Sequence, residues 1–187
     1  MTKVLVPIAD GTEELEAVTV IDVMRRAGAE VCVASVMPKR HTVVASRGVK
    51  LGADCSIDSC LNTSWDLIVL PGGMPGAEHL HDSDDLMTLV KAQLNEHRWL
   101  GAICAAPAVV LGRHGLIKNF SATCYPGFQQ ELQQQVEHVA HKRVVVDHKL
   151  VTSQGPGTAA EFTLTLVSLI YGDEKAAQVA AGMLSNY

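Results

Sequence analysis

No apolar run in this chain exceeds about ten residues before a proline or glycine breaks it, well short of the ~20 that a membrane-spanning helix requires. Basic residues are not in excess. Fifteen Lys and Arg against twenty Asp and Glu leave a net charge of −5 and a pI near 5.9, which is no electrostatic footprint for specific nucleic-acid binding or an anionic membrane surface. Five cysteines (Cys32, Cys55, Cys60, Cys104 and Cys124) are an odd number with no C-x-x-C pair. That argues against a disulfide scaffold or a zinc site and fits a reducing cytosol. The first strand-forming stretch, Lys3–Ala9, is not preceded by a signal-peptide layout, so a cytoplasmic location is expected. Repeats, low-complexity tracts and linkers are missing too. What remains is a 187-residue chain, 48% hydrophobic with mean hydropathy +0.17, which is expected to form a single domain over 1–187 with a sizeable core.

Strand and helix patterns alternate along that chain. Lys3–Ala9 is apolar and β-branched, Glu13–Ala27 is helical and stops at Gly28, and Glu30–Val36 is a second strand. Thr42–Ala45 and Val49–Leu51 read as a hairpin joined through Ser46-Arg47-Gly48. A polar loop with two cysteines leads to the buried strand Asp66–Leu70. A helix over Asp84–His97 then precedes a strand at Trp99–Ile103. Beyond Gly112 the pattern predicts a short strand at Ser121–Cys124, a Gln-rich helix over Gln129–Val136, and strands at Arg143–Val146 and Leu150–Thr152. Helices over Thr158–Leu169 and Glu174–Leu184 follow, the latter capped by Asp173. This is the pattern of an α/β protein with a doubly wound, mostly parallel sheet and helices on both faces.

In such a sheet, chemistry collects at the carboxyl ends of the strands, and four segments with unusual composition fall there. They are Asp10–Glu16, Pro71–Gly76, Ile103-Cys104-Ala105 and Ser153–Gly157. Cys104 sits where a strand turns sharply into a helix, among small residues (Ala102, Ala105, Ala106), with Pro107 in the helix's first turn. A sulfur there meets free backbone amides and the positive end of the helix dipole, which favour thiolate over thiol. A buried core cysteine is the bland alternative; the context favours a reactive one.

The pair Gly72-Gly73 serves equally as a turn or as one wall of an anion-stabilising site; it is neither a P-loop nor G-x-G-x-x-G. Glu13 and Glu14 are ordinary complements to a helix N-terminus. Glu16 heads an otherwise apolar stripe (Val20, Val23, Ala27), so its carboxyl must be paired, hydrogen-bonded or protonated. If it meets Cys104, it becomes a general acid/base with a raised pKa. No histidine stands in a setting that names it as partner to Cys104, so a Cys-His-Asp triad is unsupported. Cys32, alternating with Val31 and Val33, reads as inert core; Cys124 is left undecided.

The ordered set E-E-L-E after the first strand, V-L-P-G-G after the middle one, A-I-C-A-A-P at the elbow and T-S-Q-G-P-G-T near the end resembles the DJ-1/ThiJ/PfpI superfamily over essentially the whole chain. The resemblance is to the DJ-1/ThiJ branch, bacterial YajL-like proteins included. The PfpI branch carries a His after the cysteine, where this chain has Ala105. The resemblance implies a flavodoxin-like fold and a homodimer. It maps a nucleophile onto Cys104, its protonated glutamate partner onto Glu16, and anion-pocket amides onto Gly73 (beside Gly72) and Ala105. Dimer-proximal arginines map onto Arg25 or Arg26 and Arg47, and Pro156, near Ser153, falls where a partner chain closes the pocket. Where many relatives place a pocket His, this chain has Tyr125, a poor base near neutral pH, so any base role shifts to Glu16.

The implied activity is on small dicarbonyls: glyoxalase III-type conversion of methylglyoxal to lactate without glutathione, or deglycation of methylglyoxal and glyoxal adducts on proteins and nucleotides. Neither requires a metal or cofactor. The alternative is a redox-sensing chaperone that protects client proteins and whose Cys104 oxidises to sulfinic acid. Nucleotide-phosphate motifs that would support kinase or thiamine-pathway chemistry are absent.

Overall fold

The structure is a computed structural model that describes residues 1–185. Strands β1 (Lys3–Ile8), β2 (Glu30–Ser35), β3 (Thr42–Val44), β4 (Lys50–Gly52) and β5 (Cys55–Ser56) occupy the first third, with α1 (Glu14–Ala27) between β1 and β2. Then come β6 (Leu67–Leu70), α2 (Gly76–His81), α3 (Asp84–Asn95) and β7 (Trp99–Ile103). The remainder holds β8 (Ser121–Ala122), α4 (Gln129–Leu132), β9 (His138–Val139), β10 (Val144–Asp147), β11 (Leu150–Ser153), α5 (Ala159–Tyr171) and α6 (Asp173–Gly182).

Seven strands form one sheet in the order β10-β11-β7-β6-β1-β2-β5, parallel at every pairing except β10 with β11. The flavodoxin-like expectation is therefore met. Central strands covered on both faces should be apolar at successive positions, as β6 (Leu-Ile-Val-Leu) is, with all four residues buried. Alternate side chains of a strand point to opposite faces, which separates two hydrophobic layers. On β1, Val4, Val6 and Ile8 join Val20, Val23 and Met24 of α1 and Phe162 and Leu166 of α5. Leu5 faces the other layer, with Leu80 of α2, Leu86 and Val90 of α3, and Val109 to Leu111.

The topology positions the site. From β1 the chain winds outward through β2 and β5, then returns to the other side of β1 and continues through β6, β7 and β11. Winding reverses between β1 and β6, and there the loops at the carboxyl ends diverge to leave a crevice. The four segments of unusual composition follow β1, β6, β7 and β11, which are consecutive neighbours in the sheet.

Several expectations need correction. The Gln-rich stretch makes one helical turn, Gln129–Leu132, in which only Leu132 is buried. A polar run without an apolar stripe has little to hold a longer helix down. Ser121–Ala122 is shorter than expected and pairs in parallel with β9, apart from the main sheet. Asp173 does not cap the last helix; it is the first helical residue, after Gly172, and its carboxylate accepts the Ser168 hydroxyl. The helix after the elbow runs Pro107–Gly112 with π-type hydrogen bonds, including Arg113 N–H to Ala108 O at 3.0 Å. Helix α2 lies between the Asp66–Leu70 strand and the Asp84–His97 helix, where no element was predicted.

Phe162 is fully buried at the centre of the α1/α5 layer. Phe162→Ala is expected to lower the unfolding free energy by about 3–5 kcal/mol, read by urea denaturation. A loss below about 1 kcal/mol would mean that this layer does not carry the fold as described.

Candidate active site

Cys104 follows directly on β7 and adopts φ +63°, a left-handed conformation uncommon for a non-glycine residue. Two backbone hydrogen bonds hold it there. Its N–H donates to Ser153 O at 3.0 Å and its carbonyl accepts from Tyr125 N–H at 2.8 Å. Such local strain persists only where the surroundings over-determine the backbone, and here strand β11 and the Tyr125 segment do so from two sides. The elbow lifts the sulfur to the rim of a cavity of about 410 Å³, where Cys104 retains 9% exposure.

Gly72 and Gly73 let this arrangement close. A Cβ on Gly72 would lie 2.5 Å from Cys104 Cβ, and one on Gly73 (φ +86°) would lie 2.4 Å from Gly11 O. Side chains at these positions would push the β6 loop off both the elbow and the β1 loop. The loops are tied together: Glu13 N–H donates to Gly72 O at 2.9 Å, and Gly72 N–H donates to Glu16 Oε2 at 2.8 Å.

Glu16 is fully buried in the first turn of α1. Beside the Gly72 amide its carboxyl interacts with the Cys104 thiol, and its Oε1 has no nitrogen or oxygen partner. Burial pushes its pKa up to about 7, against the lowering effect of the Gly72 amide and of Cys104. Cys104 runs contrary to the expectation of a lowered value. Burial first, then the negative charge of Glu16, push it up to about 12, although the amides of Gly73 and Ala105 act in the opposite direction. A six-residue π-helical turn and two amides do not offset that desolvation. Between about 7 and about 12 the two groups together therefore carry one negative charge.

The cavity is also lined by Gly73, Ala105, Tyr125, Arg47 and Pro156. Tyr125 is half-exposed, and Arg47 stands at the mouth in the β3–β4 loop, its N–H donating to Glu14 Oε1 at 2.9 Å. Besides the buried Glu16, the candidates Gly72, Ser153 and Arg25 fall outside the lining. Gly72 acts behind it, through Glu16. Ser153 turns its hydroxyl to Arg143 O and the Thr158 hydroxyl, and supports the elbow through its carbonyl. Arg25 donates to Val31 O at 3.2 Å and lies 3.7 Å from Asp54. No histidine is among the lining residues. A larger cleft of about 590 Å³, between Ser35–His41 and Ser83–Asp85, holds no cysteine.

Glu13 and Ser46 line the cavity and were not anticipated. Ser46 Oγ donates to both Glu13 Oε2 and Glu14 Oε2 at 2.8 Å, and Ser46 N–H donates to Thr12 O, docking the hairpin over the α1 N-terminus. The signal was present in the excess of carboxylates at Glu13–Glu16, more than helix-dipole compensation needs. Cys124 is buried, with Sγ donating to Tyr125 O at 3.3 Å, and burial pushes its thiol up to about 12.

A flavodoxin-like sheet carrying a strained cysteine elbow, faced by a buried glutamate from the first helix, defines the class of protein. The sequence profile of the DJ-1/PfpI family matches residues 2–169, and the chain belongs to that family. Protein DJ-1 homolog B of Arabidopsis thaliana is 48% identical over 97% of this chain; the chain spans 41% of that protein's length, less than half. The Caenorhabditis elegans protein named glutathione-independent glyoxalase DJR-1.2 is 32% identical over 92% of this chain and 89% of its own. The solved structure of oxidized Toxoplasma gondii DJ-1 superimposes with TM-score 0.95 at 45% identity, covering 100% of both chains.

Burial and the charge of Glu16 hold the Cys104 thiol up to about 12, so the rate of its alkylation should still be rising at the alkaline end of the range in the native chain. Glu16→Ala, which removes that charge, is expected to move the midpoint downward; Glu16→Gln, neutral and of the same shape, should move it downward as well. Mass-spectrometric alkylation profiles check this, and a midpoint that ignores both substitutions would uncouple the two residues.

Proposed function

We propose that this protein is a cysteine-dependent enzyme acting on small dicarbonyls, either free methylglyoxal and glyoxal or their early adducts on proteins and nucleotides. The observation that carries this reading is one cysteine sulfur at a cavity of about 410 Å³, with a buried carboxyl behind it whose pKa is pushed up to about 7. The relative named as a glyoxalase supports it.

In the reactive form the negative charge sits on sulfur. Two amides, Gly73 and Ala105, favour the thiolate, whereas Glu16 has one amide and an oxygen that a proton would satisfy. The Cys104 thiolate adds to the aldehyde carbon, and the electron pair of the C=O bond moves to oxygen. Glu16 gives that oxygen its proton, forming a hemithioacetal, and as carboxylate removes the hydrogen from the same carbon. The resulting enediol collects a proton at the neighbouring carbon to become a thioester of lactate. Water then cleaves the thioester, releasing lactate and restoring the thiol; the sum is methylglyoxal plus water to lactate plus a proton. Arg47 at the mouth supplies a cation for the product carboxylate. Hydrolysis of a glycated adduct uses the same thiolate, and scavenging free dicarbonyl in equilibrium with the adduct gives the same net outcome.

A second reading, a redox-sensing protective protein without significant turnover, is favoured by one observation: the similar Toxoplasma protein is described as oxidized. A protonated Glu16 would donate to a sulfinate as well as to a thiolate. Under either reading a cytoplasmic homodimer is proposed. Leu15 and Val18 of α1 are 55% and 47% exposed, close in sequence to the Glu13 and Glu14 that hold the hairpin, and Val49 of that hairpin is 48% exposed. No described helix is long and apolar enough to cross a membrane.

Cys104→Ser is expected to abolish methylglyoxal loss and lactate formation, and Glu16→Gln to lower kcat about 10²–10⁴-fold. Lactate appearance measured beside mass spectrometry after mild peroxide decides between the readings. Most activity surviving in Cys104→Ser would refute the enzyme assignment, while selective oxidation of Cys104 in a chain that never makes lactate would favour the sensor.

A further inference from the structure

Cys32, Cys55 and Cys60 take no part in the site described above. The pattern Val31-Cys32-Val33 reads as inert core, yet Cys32 is half-exposed, and the fold brings two other sulfurs onto it. Parallel pairing of β2 with β5, in the register Ala34 with Cys55, places Cys55 beside Cys32 at 3.4 Å between sulfurs. The 3₁₀ turn Ile57–Cys60 then folds back, and Cys60 Sγ comes within 3.6 Å of Cys55 Sγ. All three ligand atoms lie within 4.8 Å of one another, Cys60 buried and the other two half-buried, and all are free thiols.

Three sulfurs at this spacing match the demands of a single ion. Metal–sulfur bonds of about 2.3 Å require sulfur–sulfur separations of about 4.0 Å in a trigonal plane, a few tenths of an ångström wider than the two contacts here. No histidine, carboxylate or fourth cysteine joins the group among the described residues. Structural zinc takes four protein ligands almost without exception, whereas thiolate-only donor sets select soft monovalent copper, which is satisfied by three. Without a cation two of the thiols are held in their protonated form: burial raises Cys55, and Cys32 is raised by the Cys60 thiol and then by burial. A positive ion at the centre of the triangle reverses that balance.

We propose that Cys32, Cys55 and Cys60 form a three-thiolate site for Cu(I), separate from Cys104. Each ligating thiol gives its proton to solvent as its sulfur lone pair binds the ion. The metal enters and remains as Cu(I), so no electron is transferred. Access is from the β2–β5 edge of the sheet, where Cys32 and Cys55 are half-exposed and β5 is the terminal strand.

The test uses the full chain, reduced and kept free of oxygen, titrated with Cu(I) in competition with a coloured Cu(I) chelator. The Cys104→Ala chain is expected to bind one Cu(I). Adding Cys55→Ser, at a half-exposed edge position, should weaken binding by at least about 100-fold, since a lost ligand costs more than a lost outer-shell partner. X-ray absorption at the copper edge needs no change in the cluster, and is expected to find three sulfur neighbours with no nitrogen or oxygen. Binding lost on Cys104→Ala alone, binding unchanged by Cys55→Ser, or a copper with two sulfurs or with nitrogen or oxygen neighbours would each overturn the proposal.

Discussion

One proton held between a buried carboxyl and a buried thiol is the constraint on which the rest of the site depends. Neither group is comfortable alone: Glu16 is fully enclosed and Cys104 is nearly so, and each would carry its own charge at a large desolvation cost. Together they need carry only one charge between pH about 7 and about 12. The backbone around them distributes donors unequally, one amide to the carboxyl and two toward the sulfur. The charge thus belongs to the pair, which differs from the usual picture of a helix terminus lowering the pKa of an isolated cysteine.

Several features of the fold serve that contact. Winding reverses between β1 and β6, so the first helix and the middle-strand loop face each other across a crevice. Glycine at 72 lets that loop approach the elbow closely enough for its amide to reach Glu16 while its Cα side clears Cys104. The hairpin β3–β4 is held on the α1 N-terminus through Ser46 and carries Arg47 to the mouth. A cavity of about 410 Å³ lies in the lower part of the range for small-molecule pockets.

Much of this could be read from the residues because the relevant physics is local. A Pro three residues after a cysteine, in a run of alanines following an apolar strand, describes an elbow with few alternatives. A glutamate heading an apolar helical stripe announces a carboxyl in need of a partner, and the structure supplies that partner from 88 positions away (Cys104 less Glu16). What failed was long-range or depended on solvent. The thiol's ionisation followed burial, which no local pattern reports. Ser153 occupies the expected segment, but its hydroxyl serves the 153–158 turn, and Arg25 serves the β2 edge. The Gln129 region lacked the apolar spacing that would extend its helix. The three-sulfur cluster stayed invisible for the same reason: Cys32 and Cys55 meet through sheet pairing, while spacing along the chain suggests only isolated residues.

The central claim is most directly tested by following both members of the pair at once, with thiolate ultraviolet absorbance for Cys104 and the infrared carboxyl band of isotope-labelled Glu16, compared with Cys104→Ala. The account predicts that the Glu16 carboxyl loses its proton near 7 in the native chain while residue 104 stays a thiol, and that Cys104→Ala moves the Glu16 midpoint upward. A Glu16 midpoint unchanged by Cys104→Ala, or two groups titrating independently of each other, would contradict it.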